Sequence, residues 1–270
     1  MTEQEYNALP GVRRSDLWLM NDSPEKYLYG TTHPAEQTPA LVFGSAAHKM
    51  FLEPDTWNDE YVIMPQIDRR TKEGKAVWEA FSTENAGKTI VSRDDFDTIK
   101  EMGNALLKNS VSREYMFVGH GENETPFSWV DPDTGDACKC KCDRLMLEDG
   151  RIVVVDYKTA KSAQTDRFNA EIYKRGYHVQ AAMYTEGVRI SGGLSYRPRF
   201  VFVVQEKEAP YAVNVIEVTE DVMNYGDQVY HQLLGKLHDC KEADIWEGYV
   251  EDGVVNEAYL PGWVSLGDEE

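Results

Sequence analysis

The sequence predicts an α/β (α+β) fold in which helices flank one central mixed β-sheet. Apolar, β-branched runs on either side of Asp149-Gly150 are typical of a β-hairpin with a tight turn. The segments 93–108 and 220–238 repeat apolar residues at helical spacing. Two strand-like runs, near 199–206 and 211–218, lie between helical segments, so strands and helices alternate in the second half of the chain.

The first third of the chain is predicted to be mainly helical. Ser15 is expected to cap a first helix, and Pro24 is suited to the first turn of a second one. Small and apolar residues from Leu41 onward predict a helix that stops before Pro54, because the residue preceding a proline disfavours the helical conformation. The next predicted elements are a loop over 55–75 and helices over 73–85 and 93–108.

The middle of the chain is predicted to form strands. Residues 114–130 are expected to form strand, turn and strand, and the Asp- and Gly-containing run 131–136 is expected to turn into the hairpin. A polar connection after the hairpin leads into a helix, and a second helix is expected at about 177–189. This order of elements is consistent with helices packed around a single sheet.

Composition limits the possible classes of protein. A chain of 270 residues can bury a sizeable core, and we interpret it as one domain over 1–270, with a core at about 10–240 and an acidic tail at about 248–270. The net charge of −19 argues against indiscriminate nucleic-acid binding, although positive charge confined to one groove would suffice for a nuclease. No membrane span or signal peptide is recognisable, so we expect a cytoplasmic protein.

The hairpin also places charged side chains together. If Asp149 and Gly150 form the turn, Asp143 lies opposite Asp156, and Lys158 projects from the same face. Buried carboxylates that face each other repel, and a hard cation such as Mg²⁺ or Mn²⁺ would remove this repulsion. A lysine nearby could orient or deprotonate a water molecule. The pattern favours a metal-dependent phosphodiesterase, and the alternative is a surface hairpin with solvated charges.

Other polar residues are weaker candidates. Glu124 is close to the hairpin in sequence and could supply a further metal-binding carboxylate, or could be an exposed charge on an edge strand. His48 lies in a predicted helix, and periodicity alone indicates an ordinary core or surface residue. Basic residues in two clusters are candidates for contacts with DNA phosphates, although the adjacent pair Arg13 and Arg14 could simply be solvated. The candidates are Arg13, Arg14, Arg69, Arg70 and Lys72.

Three of the four cysteines, Cys138, Cys140 and Cys142, alternate along one predicted strand and therefore share the face opposite Asp143. This spacing does not match the usual zinc or iron–sulfur motifs. We interpret the cysteines as reduced core residues, and a zinc or cluster site is the alternative.

Four blocks resemble the RecE-type (exodeoxyribonuclease VIII-like) exonucleases of phages and prophages. They are SDLWLMNDSPEKYLYG, FGSAAHKMFLEP, the CKCDRLM…VVVDYKT hairpin and YHVQAAMYTEG. These exonucleases belong to the PD-(D/E)XK nuclease superfamily, with lambda exonuclease and the RecB nuclease domain. The resemblance extends over roughly residues 5–190 and implies the PD-(D/E)XK nuclease fold.

The resemblance also implies roles for the matched residues. His48 would lie beside the metal ion, which Asp143 and Asp156 would bind, with Asp156 at a position where many relatives have Glu. The carbonyl of Tyr157 would be a further ligand, and Glu124 is the least secure of the implied ligands.

Three residues are implied in catalysis rather than in metal binding alone. Lys158 would position or deprotonate the attacking water. Gln180 and Tyr184 match a Q-x₃-Y helix that would orient the lysine and the nucleic-acid backbone.

The implied activity is Mg²⁺-dependent hydrolysis of linear duplex DNA, with Mn²⁺ as a substitute, in the 5′→3′ direction to leave 3′ single strands for recombination by annealing. The implied partners are double-stranded DNA ends, further copies of the chain in a trimeric or tetrameric ring, and a single-strand annealing protein of RecT type. The alternatives are an endonuclease or single-strand nuclease of the same superfamily, or a non-catalytic DNA-binding scaffold.

Overall fold

The structure, a computed structural model, describes residues 3–33, 37–250 and 253–260. The helices within these residues are α1 (Glu3–Ala8), α2 (Arg14–Leu17), α3 (Pro24–Thr32), α4 (Pro39–Leu52), α5 (Trp57–Glu60), α6 (Lys72–Glu84), α7 (Arg93–Lys108), α8 (Ser110–Phe117), α9 (Thr165–Lys174), α10 (Tyr177–Ser191) and α11 (Glu220–Ala243). The strands are β1 (Tyr61–Ile63), β2 (Thr89–Val91), β3 (Gly121–Val130), β4 (Ala137–Glu148), β5 (Arg151–Ala160), β6 (Arg199–Glu206) and β7 (Val213–Glu217).

A five-stranded mixed sheet forms the centre of the molecule, in the order β3-β4-β5-β6-β7. Neighbouring strands are antiparallel except for β5 and β6, which are parallel. One face of the sheet packs on α9, α10 and α11, and the other packs on α4, α7 and α8. Strands β1 and β2 form a separate parallel pair. The predicted fold class, a mixed sheet flanked by helices, is confirmed.

The β4–β5 hairpin has the predicted turn and register. Asp149 and Gly150 both have positive φ (49° and 76°), as a primed two-residue turn requires. Glu148 pairs with Arg151, and the strands continue in register from that pair. Several predicted helices are also present with nearly the predicted bounds, namely α3, α4, α6, α7 and α10.

The predicted strand at the start of 114–130 is wrong, because residues 110–117 form helix α8. The side chain of Asn109 accepts hydrogen bonds from the backbone N–H groups of Val111 and Ser112 and so caps the helix. Met116 is buried against the sheet. This cap and the tertiary packing outweigh the β propensity of the aromatic and branched residues nearby.

Two further predictions in the first third need correction. Ser15 does not cap a helix, because α2 begins at Arg14 and its N-cap position is Arg13, which makes no side-chain cap bond. The predicted loop over 55–75 contains the short elements α5 and β1. Trp57 anchors these elements to α4, because its indole N–H donates to the backbone carbonyl of Ala46 at 3.0 Å.

The cysteines of β4 are core residues, as predicted. Cys138, Cys140 and Cys142 are buried in the core on the α10 and α11 side of the sheet, and all four cysteines are free thiols. Burial raises the pKa of Cys138 to about 12, so the neutral thiol is the stable form. Among the described residues, no potential metal-binding group includes a cysteine.

The C-terminal segment begins where α11 ends, at Asp244 in the left-handed conformation. Trp246 stacks on Tyr27 of α3, whereas residues 253–260 are exposed and without helix or strand. Residues 251–252 and 261–270 of the predicted acidic tail lie outside the described residues. Over the described part of the chain, every helix is too short or too polar to cross a membrane.

The α10–α11 contact depends on a close approach at Gly226, where an added Cβ would lie 2.2 Å from the backbone carbonyl oxygen of His178. We therefore expect Gly226→Ala to lower the free energy of unfolding by about 2–4 kcal/mol through overpacking. Gly235→Ala on the same helix is the matched control, since nothing lies within 4 Å of its added Cβ. It should stabilise the protein by about 0.5–1 kcal/mol. Urea unfolding curves check both values, and equal effects would contradict this account.

Candidate active site

A cleft of about 2030 Å³ opens beside the β4–β5 hairpin. Residues of α4, β3, β4, β5 and α9 line it. It therefore lies where the long hairpin strands meet the small-residue helix α4. The predicted site residues of this hairpin, Asp143 and Lys158, both face into it.

Three side chains from three different elements converge in the cleft. His48 of α4 approaches Asp143 of β4 (Nε2 to Oδ2, 3.0 Å) and Glu124 of β3 (Nδ1 to Oε1, 3.5 Å). One potential ligand atom from each lies within 4.8 Å of the others. The β3–β4 register places Glu124 opposite Asp143, and the positive φ of Glu124 (52°) interrupts the pairing there. Such backbone strain in a non-glycine residue is concentrated at functional sites.

The second carboxylate of the hairpin lies next to the predicted lysine. Asp156 is 1% exposed, and its Oδ2 forms an ion pair with Lys158 Nζ at 2.6 Å. The backbone N–H of Tyr157 donates to Asp143 Oδ2 at 2.8 Å, which holds the two carboxylates on adjacent strands in a fixed relation. The side chain of Tyr157 points to the other face of the sheet, where its hydroxyl donates to Gln205.

A chain of hydrogen bonds supports Asp156 from behind. Gln180 Nε2 donates to Asp156 Oδ1 at 2.5 Å, and Arg14 Nη2 donates to Gln180 Oε1 at 3.2 Å. Gln180 therefore contacts the carboxylate of Asp156 and not the lysine that it was expected to orient. The ammonium of Lys158 instead lies 5.0 Å from the centre of the Tyr177 ring. Tyr184, one turn further along α10, is packed against the core, and no hydrogen bond joins its side chain to another described residue.

The charges of the site perturb one another strongly. Burial opposes a charge on His48, but the carboxylates of Asp143 and Glu124 outweigh it and raise the pKa of His48 to about 9. Burial raises the pKa of Asp156 to about 6 and that of Glu124 above its usual value. Burial also acts on Asp143, yet its partner His48 holds the pKa of Asp143 below the ordinary range. A protonated imidazole thus supplies positive charge that this carboxylate cluster requires.

These residues fit a hard divalent cation. Glu124 Oε1 is buried and accepts no hydrogen bond from any described residue, whereas the buried Asp156 Oδ2 is paired with the Lys158 ammonium at 2.6 Å. Unsatisfied buried carboxylate oxygens are costly, and a bound cation would compensate them. Carboxylates with one imidazole are suitable ligands for Mg²⁺ or Mn²⁺. The candidate ligands that lie together are His48, Glu124 and Asp143, whereas Asp156, the fourth predicted ligand, is not part of this group.

Most of the predicted DNA-contacting residues lie elsewhere. Arg13 and Arg70 are each ion-paired with a nearby aspartate, at 2.8 and 2.9 Å. Arg69 stacks over the ring of Trp78 at 3.9 Å, and Lys72 begins α6. None of these four is among the described residues that line the cleft. Arg14 does reach the site, but it contacts Gln180.

Sequence reasoning missed two residues that contact the site. Lys141 Nζ lies 2.6 Å from Glu124 Oε2. It precedes Asp143 by two positions on one strand, so the alternation of side chains could have indicated it. Tyr177 contacts both Lys158 and Arg14 through its ring, and nothing in the local sequence signals this.

A second group of potential ligands lies between α10 and α11, formed by Glu186, Asp227 and His231. Here Arg197 Nη2 bridges Glu186 Oε2 (3.2 Å) and Asp227 Oδ1 (2.6 Å). The guanidinium already supplies the positive charge that a cation would bring. We interpret this group as a structural ion-pair network.

We expect Gln180→Leu to weaken Mn²⁺ binding about 10- to 100-fold, because the variant no longer orients the Asp156 carboxylate. Isothermal titration calorimetry measures the affinity directly. Arg14 is one hydrogen bond further from Asp156, so Arg14→Gln should weaken Mn²⁺ binding less. Unchanged Mn²⁺ affinity in a folded Gln180→Leu protein would exclude this positioning role.

The fold and the hairpin motif define a domain of the PD-(D/E)XK nuclease class. Residues 14–253 match the family described as "PDDEXK-like domain of unknown function (DUF3799)". The chain therefore belongs to this family, and the predicted superfamily is confirmed.

A solved structure shows the same fold. The crystal structure of a "putative exonuclease" from Eubacterium rectale has a TM-score of 0.64 and 16% sequence identity, covering 97% of this chain and 96% of that one. The structure of SSO0001 matches at a TM-score of 0.31 and 12% identity, covering 81% and 84%. No curated protein matches this chain in sequence.

Proposed function

We propose that this protein is a metal-dependent DNA exonuclease. One observation carries the proposal: His48, Glu124, Asp143 and Lys158 line one cleft of a PD-(D/E)XK domain, and the buried Asp156 forms an ion pair with Lys158. A carboxylate cluster beside a lysine is suited to phosphodiester hydrolysis. The similar fold of the Eubacterium rectale protein, which is described as a "putative exonuclease", supports this choice within the nuclease class.

The residues of the site would have distinct roles in hydrolysis. His48, Glu124, Asp143 and Asp156 would hold the cation, which when bound lowers the pKa of water and stabilises charge on the phosphoryl group. Lys158, which its pairing with Asp156 keeps as an ammonium, would position the attacking water and offset the charge that develops on the phosphate. The N–H of Tyr157 and the amide of Gln180 fix the two aspartates, so that the carboxylates need not reorganise during the reaction.

The finer features of the proposal rest on the resemblance to RecE-type exonucleases. They are 5′→3′ polarity on linear duplex DNA, Mg²⁺ as the natural ion, and a role in recombination with a single-strand annealing protein. A homo-oligomeric ring would also be consistent with the net charge of −19, because only the channel lining would need positive charge.

Digestion of linear duplex DNA with Mg²⁺, beside a covalently closed circle of the same sequence, tests the proposal. We expect nucleotides to be released from the linear form only, and a label at the 5′ end to be released first. Cutting of the circle would instead indicate an endonuclease with the same site. No hydrolysis with Mg²⁺ or Mn²⁺ would favour the non-catalytic scaffold.

We expect the Mn²⁺ affinity of the protein to rise with pH between 6 and 8. The pKa of His48 is raised to about 9, so its proton must leave when the metal binds, and each such proton contributes up to about tenfold per pH unit. Calorimetric titrations at several pH values in buffers of different ionisation enthalpy count the released protons. In His48→Gln the pH dependence should be weaker. An unchanged slope in this variant would show that His48 does not bind the metal.

A further inference from the structure

The walls of the cleft differ in charge. The wall formed by the end of α4 and by α5 carries Glu53, Asp59 and Glu60. Its lysine, Lys49, forms ion pairs with Glu53 at 2.8 Å and with Glu60 at 2.7 Å. This wall therefore has a negative surplus, and it would repel a phosphate backbone.

A second wall carries positive charge. It consists of α9 and the segments that follow β5 and β6, and it presents Lys161, Arg167 and Lys207 to the cleft. Strands β5 and β6 are parallel and paired to their ends, so Lys161 and Lys207 extend from the same edge of the sheet. We name this surface, defined by Lys161, Arg167 and Lys207, the β5–α9 wall. Ligands of α/β sheets usually bind beyond the carboxyl ends of parallel strands.

The cations of the β5–α9 wall are not neutralised. Within the described part of the chain, Lys161, Arg167 and Lys207 have no ion-pair partner, and Arg167 makes one side-chain hydrogen bond to an amide oxygen. Two acidic residues also line this wall, Glu171 and Glu208, and Glu171 is paired with Arg175. Three cations thus remain against one unpaired carboxylate. Lys161 and Arg167 are also exposed, so a ligand can reach them.

The β5–α9 wall is continuous with the candidate active site. Lys158 and Lys161 are three residues apart at the end of β5, and Thr159 and Ala160 between them also line the cleft. A strand of nucleic acid that lies along this wall therefore passes next to Lys158, which is paired with Asp156. A strand that lay along the opposite wall would have to contact Glu53 and Glu60.

We infer that the β5–α9 wall binds the phosphate backbone of the substrate and guides the scissile strand to the carboxylate cluster. This inference rests on the proposed nuclease function and replaces the predicted contacts of Arg69, Arg70 and Lys72. The ligand is a phosphodiester polyanion, and the contacts are independent of base sequence. Lys161, Arg167 and Lys207 are thus substrate-positioning residues.

The test compares two double variants with the same change in charge. Lys161→Gln/Arg167→Gln removes two cations of the wall, and Lys108→Gln/Arg113→Gln removes two exposed cations of α7 and α8 outside the cleft. Fluorescence anisotropy with a labelled linear duplex in EDTA measures Kd over a range of salt. We expect the wall variant to bind at least about tenfold more weakly and the slope of log K against log salt to decrease by about 2. The control should match the wild type.

Steady-state hydrolysis separates positioning from chemistry. In the wall variant KM should rise while kcat at saturating DNA changes less than threefold. Wild-type binding by the wall variant, or a comparable loss in the control, would overturn the inference while leaving hydrolysis by the wild type intact. The inference would also be overturned if Arg69→Gln/Arg70→Gln weakened DNA binding and the wall variant did not, since the strand would then lie next to α6. A wild-type protein that neither binds nor cleaves DNA would reject the proposed function as well.

Discussion

Asp156→Asn is expected to lower DNA hydrolysis by at least about 10³-fold, because the variant lacks a negative charge that the metal site needs. The substitution preserves the shape of the side chain, and an amide oxygen can still accept the hydrogen bond of Gln180. The loss should therefore appear mainly in kcat and in metal affinity. DNA binding in EDTA should stay within threefold of the wild type.

The folded state should tolerate this change. Burial raises the pKa of Asp156 from 3.8 to about 6, so the metal-free protein loses stability as the pH rises between these values and retains that penalty at higher pH. A neutral amide at this position avoids the penalty, although it gives up the ion pair with Lys158. We expect the Tm of metal-free Asp156→Asn at pH 7.5 to be no lower than that of the wild type. Full activity in the variant would show that the site is wrongly assigned.

Lys158→Met is the second substitution with a large expected effect. Loss of the ammonium that positions water and offsets charge on the phosphate should lower kcat by about 10²- to 10⁴-fold. The methionine retains an unbranched side chain that can pack on the ring of Tyr177. Mn²⁺ affinity should be retained, since Lys158 is not a ligand and its positive charge competes with the cation for Asp156.

The comparison of kcat with metal affinity distinguishes this role from a structural one. A purely structural lysine would, on removal, disturb Asp156 and weaken metal binding together with activity. Lys141→Met is a useful second variant, because Lys141 contacts Glu124 instead and should affect metal affinity more than kcat. If Lys158→Met retains wild-type kcat, the lysine has no part in the chemistry.

Elements with strong local signals could be predicted from the sequence. The Asp149-Gly150 turn determined the hairpin register, and Pro54 marked the end of α4. Helix α8 was not predicted because its aromatic and branched residues are typical of a strand. The Asn109 side chain that caps it does so through two hydrogen bonds, which the residue pattern does not reveal. Capping by Asn109 and burial of Met116 against the sheet outweigh the local propensity for a strand.

The site was predictable to the extent that it lies within one hairpin. Asp143, Asp156 and Lys158 follow from the turn and the two-residue period, whereas His48 depended on the resemblance. Other features come from distant parts of the chain, and one is the hydrogen bond between Arg14 and Gln180, 166 positions apart. Long-range contacts of this kind leave no pattern in a single sequence. The same holds for the charges of the cleft walls, since α5 and α9 are far apart along the chain.

We expect the carboxylate cluster of the cleft to bind a divalent cation. The most direct test is anomalous diffraction at the manganese edge from crystals grown or soaked with MnCl₂. We predict a peak bounded by His48, Glu124 and Asp143, with ligand distances of about 2.0–2.3 Å. A peak at the group formed by Glu186 and its neighbours, or no peak at any Mn²⁺ concentration that supports hydrolysis, would contradict the account.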